Sequence, residues 1–347
     1  MTEFSGINCE PDDPSNPLSI FKLFFTDKIV KEILRCTSEY ANTLINTPKI
    51  IERINSKKKS LFANWVDTDV DEIWIYLTTL LLMGILIKPE IDMYWSNDPV
   101  LQTPISRRLI SRNQFHILRV MTHFLDIAVN DKEDPLHKLR FFLDELQKNF
   151  ESNYIREQNI SIDEYLSLWI GRLSFRVYIP SKRERYGIKL FMLCKSSTGY
   201  LSWFITYAGA GTNYEDCSDI SLPEDKGRNL PTNFDEIKSA SKVVLSLMKP
   251  FLNKGYHLTL DNYYTSPELA LLLDFNHTPC YGNLHKKEGL PKDFWLWKPA
   301  KGGVKIKMHD NLMIMRWNDI TKTNNTKFVS MLSTIHIGEL TDSGKSS

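Results

Sequence analysis

The feature that most limits what this chain can fold into is a change of period at Asn159. From about residue 18 to about residue 155, apolar side chains recur at helical spacing; after Asn159 they fall into short β-type runs separated by turns. In the first stretch, Asp27–Arg35 carries apolar residues at i, i+1, i+4 and i+5 from Ile29. Val70–Ile87 follows Asp67 and Asp69 and opens with Asp71 and Glu72, charges that suit a helix N-terminus. Ser111-Arg-Asn-Gln114 has the form of a capping box ahead of Phe115–Phe124, and Leu136–Phe150 is a further amphipathic stretch. Ile73–Ile87 is apolar nearly all round, which predicts a helix buried on every side. Its 15 residues fall short of the roughly 20 that span a bilayer, so no membrane is expected as a partner.

Beyond Asn159 the chain predicts strands at Ile160–Leu168, Gly187–Cys194 and Leu201–Ala208, then a loop over 209–233. A helix over Phe234–Phe251 with Asn233 as cap, a fourth strand at Tyr256–Leu260, and a helix opened by Ser266 with Pro267 at its first position complete the run. Aspartates stand on the first strand and just after the fourth: Asp163 and Asp261, 98 positions apart (261 − 163). The order β-β-β-α-β-α with these two carboxylates resembles the ribonuclease-H-like arrangement, where the two strands lie side by side. Carboxylate oxygens on rigid backbone suit a hard divalent cation, Mg²⁺ or Mn²⁺. A lone strand-end aspartate more often caps a turn; the specific strings flanking both aspartates, Asp163–Arg172 and Asp261–Glu268, favour the metal reading. Glu164 and Asn262 are adjacent, but neighbouring strand residues point to opposite faces, so they rank low.

Composition removes several classes. Net charge is +1, so any affinity for nucleic acid must rest on local patches. The five cysteines are scattered and never in C-x-x-C spacing, which excludes a zinc knuckle and a disulfide framework; with no signal-peptide pattern, reduced thiols and an intracellular setting are expected. Gly209-Ala-Gly211 lacks the Lys-Ser/Thr of a phosphate-binding loop, and no small-molecule cofactor is expected. One local patch is dense: Arg172, Arg176, Lys182, Arg183, Arg185 and Lys189 lie close to Asp163 and are candidate phosphate contacts, against the plainer reading of a solvated hairpin. Trp295 and Trp297, among Lys286, Lys287, Lys301 and Lys305, are candidates for stacking on frayed bases, although alternate tryptophans on a strand are more often packing.

Several long motifs resemble the piggyBac-type transposases and the proteins derived from them. The strongest are Ile160-Ser-Ile-Asp-Glu-Tyr-Leu166, Gly171-Arg-Leu-Ser-Phe-Arg176 and Tyr178-Ile-Pro-Ser-Lys-Arg-Glu-Arg-Tyr-Gly-Ile-Lys-Leu-Phe191. Leu258-Thr-Leu-Asp-Asn-Tyr-Tyr-Thr-Ser-Pro267 and Val329-Ser-Met-Leu-Ser-Thr-Ile-His336 add to them, and the likeness runs over roughly residues 18–342. It implies cut-and-paste DNA transposition by a ribonuclease-H-like domain with three catalytic aspartates and two metal ions, acting on double-stranded DNA in the nucleus; a homodimer is left open. Asp163 matches the first catalytic, metal-holding aspartate and Asp261 the second. The third belongs to a Gly-Gly-Val-Asp stretch soon after the Leu-Ser-Thr-Ile-His segment, and Gly338–Ser347 does not reach it; Lys301-Gly-Gly-Val304 is followed by Lys305. The family's Cys/His-rich tail has no counterpart, and Ile170, Lys195 and Asn283 depart from its pattern.

The expected fold class is α+β. A flexible tail (1–17) precedes a helical N-terminal domain for dimerisation or DNA binding (18–156). A ribonuclease-H-like α/β domain (157–282) follows, then a small β-rich insertion (283–328) and the start of the second catalytic part (329–347), whose remainder is missing. The expected function is that of a transposable-element-derived protein that binds DNA but is catalytically incomplete. The alternatives are an active metal-dependent transposase, with Asp319 or Asp342 completing the site, and a degraded element with no selected function.

Overall fold

Residues 10–149 form one unit and residues 1–9 with 150–347 a second. The computed structural model describes residues 5–56, 61–125, 133–212, 214–223, 230–231, 233–285, 289–319 and 327–338. Asp342, Lys286 and Lys287 lie outside the described residues.

The first unit is helical: α1 (Pro17–Phe24), α2 (Asp27–Ile45), α3 (Pro48–Ser56), α4 (Val70–Ile85), α5 (Pro104–Leu109), α6 (Arg112–Met121) and α7 (Arg140–Ser152). Local chemistry sets the helix starts. Asn16 Oδ1 accepts from Leu18 N at 3.0 Å, Asp69 Oδ1 from Glu72 N at 2.8 Å and Ser111 Oγ from Gln114 N at 3.2 Å. Ile29 and Ile33 of α2, Ile73 and Tyr76 of α4, and Phe115 and Leu118 of α6 share one core. Trp95 closes it, its Nε1 donating to the Ile110 carbonyl at 2.8 Å. Burying each such side chain contributes roughly 1.5–3 kcal/mol.

The expectation of a fully buried Ile73–Ile87 helix is corrected. Only Ile73, Tyr76 and Thr79 of α4 are buried, whereas Leu81, Ile85 and Ile87 are 57%, 78% and 86% exposed. An apolar run states what a helix can bury; how many neighbours reach it is decided elsewhere in the chain. No described helix is long and apolar enough to cross a membrane.

The second unit is built on a sheet of nine strands among the described residues. A separate short ribbon pairs β1 (Gly6–Ile7) with β2 (Tyr154–Ile155), so part of the expected flexible tail is ordered. The sheet contains β3 (Asn159–Leu168), β4 (Val177–Tyr178), β5 (Tyr186–Lys195), β6 (Leu201–Thr206), β7 (His257–Leu260) and β8 (Cys280–Asn283), then β9 (Val304–His309), β10 (Leu312–Asn318) and β11 (Phe328–Ser333). Its order is β4-β5-β3-β7-β8-β11-β10-β9, with β6 also on β5. β3, β5 and β6 form an antiparallel meander, and β7 lies parallel to β3. The strands of the expected β-rich insertion, β9 and β10, extend this sheet through β11.

Among the described residues this unit carries helices α8 (Ser239–Met248) and α9 (Pro267–Phe275). The expected Phe234–Phe251 helix resolves into a 3-10 turn capped by Asn233, α8, and a second 3-10 turn. Val244, Leu245, Leu247 and Met248 of α8, Leu269, Leu272 and Leu273 of α9, and Ile160, Ile162, Leu193, Leu258 and Leu260 of the sheet make up one core. Lys195, a departure from the family pattern, is buried at the end of β5. It pairs with Glu157 at 2.5 Å and donates to Tyr154 Oη at 2.6 Å. The pair holds the Glu157 carboxyl below the ordinary carboxylate value and the Lys195 amine above the lysine one.

Candidate functional site

Alternation along β3 separates two faces. Ile160, Ile162 and Leu166 are buried in the core; Ser161, Asp163 and Tyr165 occupy the other face, and Asp163 and Tyr165 are exposed there. In the parallel β3–β7 ladder Ile162 lies opposite Leu260. Asp163 follows Ile162 on β3 and Asp261 follows Leu260 just past the end of β7, so each stands one residue beyond this matched pair, on a ladder whose strands are about 4.8 Å apart. The chain therefore delivers two carboxylate-bearing residues to one end of one strand pair.

The Asp261 turn is tightly held. Its carbonyl accepts from Tyr264 N and Thr265 N, both at 3.1 Å, and from Thr265 Oγ1 at 2.9 Å. Ser266 then caps α9 through Leu269 N at 3.2 Å, with Pro267 at the first helical position. Gly282 of β8 lies against this turn: a Cβ there would sit 2.3 Å from the Leu260 carbonyl oxygen and 2.3 Å from Thr265 Oγ1. Only a residue without a side chain lets β8 approach so closely.

On the strand bearing Asp163, Oδ1 accepts from Glu164 N at 2.7 Å. Glu164 belongs to the core side, half-buried, where Tyr264 Oη donates to its Oε2 at 3.4 Å. Burial first, and the Glu164 charge second, push the Tyr264 phenol far up from its ordinary value. Asp163 also acts at a distance. It adds to the burial that raises the Cys194 thiol, and with Glu164 it opposes the burial that lowers the Lys189 amine.

The six basic candidates are not brought together as one row. Arg172, Arg176, Arg183 and Arg185 are exposed and Lys182 is half-buried. Lys189 stands apart on the core side of β5, its amine over the Phe191 ring at 4.7 Å and the Tyr263 ring at 5.3 Å. Trp297 takes the packing reading: Phe294–Leu296 is a 3-10 turn rather than a strand, and Trp297 is buried with its Nε1 donating to Asp293 Oδ2 at 2.9 Å, while Trp295 is half-buried with the Arg316 guanidinium 5.5 Å from its ring. Exposed tyrosines, unremarked in the sequence reading, stand near Asp163 instead. Tyr165, two residues after Asp163, already carried the parity signal.

Among the described residues, no group of three or more His, Cys, Asp or Glu side chains is arranged to hold a metal. Asp319, the alternative third acid, follows β10, three strands from β7 and so about 14 Å across the sheet. Asp163 and Asp261 offer carboxylate oxygen, the ligand type that a hard divalent cation takes.

The chain matches the family described as Transposase IS4 over residues 16–345. It is 22% identical to the human PiggyBac transposable element-derived protein 3 over 311 residues, covering 87% of this chain and 46% of that protein. To the human PiggyBac transposable element-derived protein 2 it is 22% identical over 319 residues, covering 89% of this chain and 48% of that protein. The chain thus spans about half the length of these relatives. Its fold is similar to a chain in a cryo-EM structure of a piggyBac transposase synaptic complex with hairpin DNA. The TM-score is 0.78 at 24% identity, covering 98% of this chain and 66% of that one.

Proposed function

Because this chain belongs to the piggyBac-type transposase family, we propose that it is a transposon-derived protein that binds double-stranded DNA but does not by itself cut it. The observation carrying this reading is the Ile162–Leu260 register, which sets Asp163 and Asp261 side by side with no third carboxylate grouped with them among the described residues. Asp163 and Asp261 converge on one Mg²⁺ or Mn²⁺. A bound divalent cation would supply charge neutralisation for phosphate oxygens; in-line phosphodiester cleavage by a two-metal site needs carboxylates for both ions. Arg172, Arg176, Lys182, Arg183 and Arg185 contact phosphate, and Lys189 supports the same region from the core side. On the family resemblance the proposed location is the nucleus, and a homodimer is the assembly to test.

Gel-shift and nicking assays on the purified 347-residue chain test this. Duplex binding should fall steeply with salt, and neither Mg²⁺ nor Mn²⁺ should support cleavage of transposon-end DNA. Metal-dependent nicking abolished by Asp163→Ala would establish an active transposase instead. Absence of duplex binding at low salt would leave a remnant without DNA affinity.

A further inference from the structure

The face of the sheet that carries Asp163 continues into a row of exposed aromatic rings. Tyr165 follows Asp163 by two residues and so shares its face. Leu190 lies opposite Tyr165, and Tyr186, four residues before Leu190 on β5, returns to that same face. Tyr178 is registered opposite Tyr186 across β4 and β5. Their rings pair at 4.6 Å between centroids, tilted by 33°. All three are large aromatic side chains left about half open: Tyr165 55%, Tyr178 51% and Tyr186 46% exposed.

The row is held in place rather than loosely displayed. Arg176 Nη1 donates to the Ile170 and Gly171 carbonyls at 2.9 and 3.2 Å, while its guanidinium carbon lies 5.0 Å from the Tyr186 ring centre. Trp169 N donates to the Tyr186 carbonyl at 3.2 Å, and Ile179 N to the Arg185 carbonyl at 2.8 Å. The surrounding charge is one-sided. Arg172, Arg176, Lys182, Arg183 and Arg185 lie in the segment that carries the rings against one acid, Glu184, with Asp163 at the end of the row and Lys189 on the opposite face, in a chain whose overall net charge is +1.

Flat π-faces interleaved with cations suit a polyanion whose bases are free to stack. A paired duplex presents phosphate to the cations but keeps its bases stacked on one another, so the rings would gain nothing from it. We propose that the Tyr165–Tyr178–Tyr186 face is a binding site for unpaired nucleotides of single-stranded DNA, leading along the sheet to Asp163. The site rests on the DNA reading above and refines it: the cations bind the backbone of either form, and the tyrosines select the unpaired one.

The test is fluorescence anisotropy on the full chain without divalent metal at low salt. The probes are a labelled oligothymidylate of about 15 nucleotides, near the upper end of known single-strand site sizes, and a duplex of the same length. The wild type should bind the single strand more tightly. Y178L/Y186L should weaken that binding at least about tenfold and leave duplex binding within about twofold, while Y178F/Y186F, which keeps the rings, should retain both. K182A/R183A should weaken both probes alike. Equal wild-type affinity for the two probes overturns the proposal and leaves the duplex reading standing. So does a Phe variant as weak as the Leu variant, since hydroxyl contacts would then be responsible. If the Leu variant does not fold, the wild-type preference and the Phe variant still decide. Failure to bind either probe removes the parent DNA reading as well.

Discussion

The two faces of β3 and β5 are made by the same residues in alternation, yet they do opposite things. On one side Ile160, Ile162, Phe191 and Leu193 are buried against α8 and α9 in a continuous core. On the other, Asp163, Tyr165 and Tyr186 are exposed, and Leu190, Met192 and Cys194 are half-buried. The difference teaches that this unit keeps its stability on one side and leaves polar and aromatic groups open on the other. A sheet covered on one side can hold reactive groups on the other without depending on them to stay folded.

The largest expected effect comes from the closed face. Ile162→Ala should destabilise the sheet unit by about 2–5 kcal/mol in urea unfolding, because the side chain is 2% exposed and its removal leaves a cavity. A loss below about 1 kcal/mol would mean that this face is not the load-carrying one. Gly282→Ala comes next, at about 1–3 kcal/mol. Its new methyl would strike the Leu260 carbonyl and Thr265, shifting the Asp261 turn. Calorimetry with and without Mn²⁺ should show lost stability together with a lost metal response.

Asp163→Asn sharpens the contrast from the open side. It should change unfolding free energy by no more than about 0.5 kcal/mol, as for a surface substitution, but abolish the rise in melting temperature with Mn²⁺ that the proposed site predicts for the wild type. A stability loss as large as that of Ile162→Ala would erase the distinction between the faces.

The smallest effect concerns acid. Glu157 titrates below its ordinary value of 4.5, chiefly through its hydrogen bond with Lys195. A carboxyl depressed in the folded state gives stability that is fully present above 4.5 and lost as pH falls through the lower, folded-state value. Melting temperature against pH should therefore decline below 4.5, and Glu157→Gln should flatten that part of the curve. An unchanged curve in the variant would assign the decline to other carboxylates.

Much of the sheet unit was legible because its signals are local. The Asn233 and Ser266 caps and the β3–β5–β6 meander follow from period and turn chemistry, whereas the pairing of β3 with β7 that brings Asp163 level with Asp261 was implied only by the ribonuclease-H-like resemblance. What stayed hidden depends on partners distant in sequence. Periodicity gave α4 an apolar run but not the neighbours that would cover it, so Leu81 and Ile85 were expected inside and are exposed. The Trp297 ring had no sequence signal for Asp293 or for the 3-10 turn that buries it. The β9 and β10 strands were visible; their attachment to the main sheet through β11 was not, since strand order is set by pairings across tens of residues.

The parallel pairing of β3 with β7 also governs the order of assembly. β3 and β5 meet across a short stretch of chain, but β3 reaches β7 only by joining Asn159 to His257, 98 positions later (257 − 159). Chain entropy must be lost to close that loop before any of its contacts form, which makes such pairings late and slow. During synthesis β3 therefore emerges with one backbone edge unpaired, beside Ile160 and Ile162, until residue 260 has followed. An open, apolar strand edge is a template for pairing with another chain. The same ladder that brings the two aspartates together thus leaves a nascent molecule exposed to aggregation, and refolding yield should fall as protein concentration rises.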